Sequence, residues 1–189
     1  PLTSFRCLEG KLDTTLSYKE LLEITVEGIV HQNMECKTND ELGSFWRMVQ
    51  FLNSEGEINE DADFKIKAVS RFRSTLVSET VWTEPRKILY LQKTRIFMLY
   101  KLNAHRNGET SLPEESLRYY LENSKEYLGE QRMTYHVIKK GNQVLDFEHR
   151  DAKGQPTKMS VQQRSYCFDY EKLVEAFDIN LEMSRNEDI

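Results

Sequence analysis

The side chains best placed to do chemistry in this chain are its cations, because its potential catalytic groups fall into no working pattern. His31, His105, His136 and His149 stand apart from one another, and Cys7, Cys36 and Cys167 are widely spaced. Three such cysteines spell neither a disulfide framework nor a zinc motif. His31 with Cys36, five residues on, does not make a metal site. No Gly-rich phosphate loop, Gly-x-Ser-x-Gly elbow or His-Glu-x-x-His run occurs. Glu114 and Glu115 sit in the first turn of a helix, where the macrodipole favours negative charge, so the pair is no evidence for hydrolysis. The expectation is therefore no catalytic residue, no metal and no cofactor.

The cations are better organised. From Asp63 the sequence alternates, with Phe64, Ile66, Ala68 and Phe72 pointing one way and Lys65, Lys67, Arg71 and Arg73 the other. That spells a half-buried strand with a positive row on its open face. Such a row can touch phosphates, each contact releasing roughly one counterion; it can also simply guard an edge strand against aggregation. Lys139, Lys140, Arg150, Lys153 and Lys158 gather near two further turns. Arg118 and Tyr119 lie opposite the apolar face of a short helix, within reach of phosphate or base edges, with Glu115 and Glu122 beside them to repel a backbone.

The charge drifts along the chain in the same sense. Of 26 basic and 31 acidic residues, residues 1–60 hold 5 and 11, residues 61–140 hold 15 and 10, and residues 141–189 hold 6 and 10. A basic middle between acidic ends is compatible with a local nucleic-acid surface.

The elements that must position these cations centre on residues 94–129. Ile96, Leu99, Tyr100 and Asn103 share one helical face, and Asn107-Gly108 ends that helix. Ser111-Leu-Pro113-Glu114 reads as a capping box opening a second helix, with Leu117, Tyr120 and Leu121 on its inner face. Ahead of this pair, Ser17–Glu20 and Thr38–Glu41 read as capping boxes of two helices, separated at His31–Asn33. The first carries Leu22, Val26, Ile29 and Val30; the second carries Leu42, Phe45, Trp46, Val49 and Leu52 and stops at Gly56. The two should pack as an antiparallel hairpin, since neither would be stable alone.

Residues 74–86 read as an irregular connection around Trp82 and Pro85, and Ile88–Leu91 as a buried strand. Strands from Thr134 to Lys140, Gln143 to His149 and Thr157 to Phe168, joined by turns at Gly141-Asn142 and 151–156, form an enlarged wing. A helix around Tyr170 to Phe177 closes the fold, and Arg185 to Ile189 form a polar tail. The expected fold class is α+β: an N-terminal helical hairpin (residues 1–60) packed on a winged helix-turn-helix with an enlarged β-wing (residues 61–189). The two stretches can also be one continuous domain.

Apolar residues make up 39% and charged residues 30% of 189, an ordinary soluble composition with no apolar run long enough to cross a bilayer. The cysteines read as reduced intracellular thiols. The chain begins at Pro1 rather than Met, which suggests a piece of something longer.

The run TRIFMLYKLNAHRNGETSLPEESLRYYLENSKEYLG (94–129), followed by QQRSYCFDYEKL (162–173), resembles the C-terminal winged-helix region of primase–helicases from phages and bacterial mobile elements. The similarity extends to RCLEGKLDTTLSYKELLE (6–23) and ELGSFWRMVQFL (41–52). The resemblance implies a bacterial, cytoplasmic role in DNA replication or mobilisation, beside upstream helicase and primase domains. Their ATPase and primase motifs are not in this chain, so no catalytic residue carries over. The expected function is a non-enzymatic accessory domain binding DNA, without sequence preference, mainly through its phosphates. The alternative is a structural module that meets a neighbouring domain through Tyr119, Trp82 or the acidic hairpin.

Overall fold

The computed structural model describes residues 17–139 and 142–181. It is a mixed α+β structure with an antiparallel sheet. Helix α1 (Tyr18–Ser54) begins at the expected capping box. Glu20 N donates to Ser17 Oγ at 3.3 Å and Ser17 N donates to Glu20 Oε2 at 2.8 Å, which holds the Glu20 carboxyl below its usual range.

The break expected at His31–Asn33 is absent, and the helix runs through it. No Gly or Pro stands between Val30 and Leu42, and His, Gln and Asn cost well under 1 kcal/mol each in a helix interior. The Thr38–Glu41 box therefore lies inside a helix, and no helical hairpin forms. Leu22, Val26 and Ile29, the stripe assigned to that hairpin, are exposed.

Pro1–Glu41 and Leu42–Ile189 form separate compact units. The second holds the core. Leu42, Phe45, Trp46, Val49 and Leu52 are all buried, as their spacing predicts, and each large apolar side chain contributes about 1.5–3 kcal/mol of transfer free energy.

The sheet holds β1 (Phe64–Phe72), β2 (Thr80–Gln92), β3 (Tyr127–His136) and β8 (Ser160–Asp169) in the order β1-β2-β8-β3. Between β2 and β3 come α2 (Lys93–Asn107) and α3 (Glu114–Glu122). Gly108 caps α2 in the left-handed conformation, as expected. The Ser111 box does not form, because α3 starts at Glu114 with Pro113, two residues past Ser111, in the cap position and no side-chain cap; Leu112 N donates to Tyr100 Oη instead. The connection from β3 to β8 contains two small hairpins, β4 (Ile138–Lys139) with β5 (Asn142–Gln143), and β6 (Leu145–Arg150) with β7 (Pro156–Lys158). The strand expected over 157–168 is thus divided at Met159, whose N–H donates to Val144 O. Helix α4 (Tyr170–Phe177) stands where the sequence places it, capped by the Asp169 side chain.

Alternation along the central strands sorts two cores. Leu89, Leu91, Tyr166 and Phe168 pack with the helices, while Ile88, Tyr90 and Cys167 form a smaller cluster on the other face with Phe72 and Trp82. A β-bulge between Val69 and Arg71 reverses the alternation of β1. Phe72, expected beside Phe64, therefore packs in the opposite cluster. Residues 80–86 are strand rather than irregular connection; Pro85 is accommodated because no cross-strand partner is registered between Val81 and Arg86.

The sheet also curls until the residues flanking β1 meet β3. Asp61 O accepts from His136 N at one end. At the other, Thr75 N donates to Glu130 O and Ser74 Oγ donates to Leu128 O. Closure requires a bare backbone at Gly129 (φ +109°), where a Cβ would lie 2.4 Å from Ser74 Oγ. Gly129→Ala is expected to cost about 1–3 kcal/mol through strain at this backbone conformation and the clash. An unchanged midpoint in urea unfolding would contradict this close approach.

Candidate nucleic-acid interface

The four cations of β1 do not form one row, and the bulge is the cause. Lys65 and Lys67 pair across to Tyr90 and Ile88 on the inner face of the curled sheet, whereas Arg71 follows the bulge. Lys65 is largely covered, 3.0 Å from Asp61 and 5.8 Å from the Tyr135 ring centroid, so it is not presented to a ligand as expected. Lys67 is exposed. Arg71 is exposed but sits 3.4 Å from Glu79. Arg73 is exposed, and its carbonyl accepts from the Gln131 side-chain amide.

On α3, Tyr119 is exposed and Arg118 lies 3.6 Å from Glu122, its neighbour one turn on. An exposed pair of this kind contributes little to stability, so a phosphate can compete for Arg118. Glu122 is also 3.9 Å from Lys93. Lys139, Lys153 and Lys158 are exposed on the β4–β7 insert; Lys140 lies outside the described residues. The 151–156 turn is held by Asp151 Oδ1, which accepts from Lys153 N and Gln155 N, and by Arg150, which donates to Gly154 O. Trp82, a candidate partner contact, is stacked on Phe72 at 6.0 Å beneath the Arg86 guanidinium.

Sequence reasoning missed Arg132 and Arg164. They lie directly opposite each other on β3 and β8, and both are exposed. The alternation of 164, 166 and 168 puts Arg164 on the face whose Tyr166 and Phe168 pack with the helices, and there it is exposed; its partner emerges only from the register.

A cleft of about 530 Å³ lies beside α2 and the end of β3, lined by Asp63, Arg95, Met98, Arg106 and His136. Its cations are already engaged: Arg95 Nε is 3.1 Å from Asp63 Oδ1, and Arg106 Nη1 is 2.7 Å from Glu57 Oε1. Among the described residues no group of side chains could hold a metal ion. Burial pushes the Cys167 thiol up to about 12, so it is not a nucleophile near neutral pH.

Compared with protein-family models, curated proteins and solved structures, the chain matches no family, no curated protein and no solved structure.

Asp63 generates a pH test. Burial raises its carboxyl despite the N–H of Asn59 and the Arg95 guanidinium, which favour the charged form. A folded value above the unfolded one makes its contribution largest in acid, and that contribution is lost as pH rises through the folded value. Asp63→Asn, which resembles the protonated form, should therefore gain stability relative to the parent between pH 4 and pH 7. Thermal melts across that range check it, and a relative loss would contradict the sign.

Proposed function

We propose that this chain is a winged-helix accessory module of a DNA replication protein of the primase–helicase type, holding DNA without sequence preference through its backbone phosphates. The observation that carries the reading is the strand order. The chain runs through a helix, strands β1 and β2, two helices joined at Gly108, and then β3 and β8, with β1 added outside β2. The last strand returns between the other two, in the order β2-β8-β3. A return of this kind supports reading α3 as the recognition helix of a winged helix and the β3–β8 connection as its wing. The small hairpins of that connection make it a large wing, and it carries the exposed lysines 139, 153 and 158. The resemblance of residues 94–129 and 162–173 to primase–helicase termini supports the same role. In this reading the catalytic steps belong to other domains.

The favoured contact is with phosphates rather than bases. Arg118 and Tyr119 share the outer side of α3 with Glu114 and Glu115, whose charge opposes insertion into a groove. The alternative, a module packing on a neighbouring helicase or partner domain, draws on the exposed apolar residues Leu22, Ile24, Val26 and Ile29.

Fluorescence anisotropy with a labelled duplex, titrated at several salt concentrations, separates the two. Phosphate binding predicts a fall in log affinity with log salt of about 0.9 per contact. Charge reversal at Lys139, Lys153 and Lys158 together should weaken binding at least tenfold. No measurable affinity at low salt would overturn the DNA reading and favour the alternative.

A further inference from the structure

We infer that the outer face of the β3–β8 ribbon, centred on Arg132 and Arg164, is a clamp for the phosphate backbone of duplex nucleic acid. The inference rests on the DNA-binding reading above and names a surface within it that none of the candidate residues read from the sequence includes.

The two strands alternate cleanly. Gln131, Met133, Tyr135, Val161, Gln163 and Ser165 turn inward and are buried or half-buried. Their neighbours Arg132, Thr134, Gln162, Arg164 and Ser160 turn outward and are exposed, with His136 half-buried at the end. Each of these exposed side chains is polar, two are cations and none is a carboxylate; Glu130 and Tyr166 continue the same face.

The register makes the pair unusual. Arg132 stands directly across from Arg164, which puts their Cβ atoms about 4.5–5.5 Å apart, and like charges at that separation destabilise a sheet. Among the described residues neither has an ion-pair partner. Glu130, two residues before Arg132 on that face, is engaged by Lys93. Tyr166, next in line opposite Glu130, also takes the Lys93 ammonium 4.7 Å over its ring. The fold thus neutralises the carboxylate beside the arginines and leaves the two guanidinium groups uncompensated. A phosphate between them removes the repulsion and matches the planar fork of each guanidinium.

The chemistry of the face selects the partner. Its one ring, Tyr166, is buried, so the exposed positions named offer no aromatic surface on which an unpaired base could stack, and the face suits duplex backbone better than single strands. A two-stranded ribbon also has the width of a groove in duplex DNA. Thr134, Ser160 and Gln162 add neutral hydrogen-bonding groups for neighbouring phosphate oxygens.

The test compares the parent chain with R132Q/R164Q and R132K/R164K on labelled duplex and single-stranded DNA of one sequence. For R132Q/R164Q the dependence of log affinity on log salt should be shallower by about 1.8, from two lost contacts at about 0.9 each. Its melting temperature should be unchanged or higher, because a like-charge pair is removed. The lysine variant should keep the parental salt dependence. If the parent binds duplex and R132Q/R164Q binds with the same affinity and slope, the clamp is wrong and the wider reading stands. If only single-strand affinity falls, the duplex assignment is wrong. If the parent binds neither form at low salt, both fail. Should the glutamine variant melt markedly lower, the arginines are structural, and the clamp is likewise overturned.

Discussion

The structure depends on one strand finding two partners far away in sequence. Cys167 of β8 stands opposite Tyr90 of β2 on one side and Gly129 of β3 on the other. Because side chains alternate with a period of two, that double registration fixes the face of every residue near it. Tyr166 and Phe168 go to the helices and Ser165 and Cys167 to the inner cluster. A slip of one residue would invert both layers at once. The buried hydroxyls hold the inner layer in place: Tyr135 Oη lies 2.6 Å from Ser165 Oγ and 3.2 Å from Tyr90 O, tying all three strands together. Burial drives the Tyr135 hydroxyl well above its usual range, so the network stays neutral at any physiological pH.

That registration also decides which cations face outward. Lys65 turns into the curled sheet and is spent on Asp61 and Tyr135, whereas Arg132 and Arg164 turn out and are left to repel each other. The positive surface is therefore a property of the tertiary pairing. In the proposed function, the same pairing that completes the fold builds the surface that holds a polyanion.

Much of this was legible where the signal is local. The stripe from Leu42 to Leu52, the end of α2 at Gly108, the buried run Ile88–Leu91 and the closing helix Tyr170–Phe177 follow from period, cap and turn chemistry, and all are found. The Ser17 box forms at an exposed helix start. Its counterpart at Ser111 does not, because Tyr100 holds the backbone just beyond it and α3 begins at Glu114. The helix break at His31–Asn33 failed for lack of a true breaker, since polar residues alone do not end a helix.

What escaped the sequence was long-range. The register shift between Val69 and Arg71 moved Phe72 to the other face and split the basic row, and no local pattern announces a bulge. The facing of Arg132 and Arg164 likewise exists only once β3 and β8 are in register, thirty-two positions apart.

The most direct measurement is an amide chemical-shift map of the chain during titration with a short DNA duplex. The account predicts that the largest shifts fall together on the outward positions of β3 and β8, from Arg132 to Thr134 and from Gln162 to Arg164, and extend onto the lysine-bearing hairpins. Shifts confined to the exposed apolar stretch Leu22–Ile29, or no shifts at low salt, would contradict it.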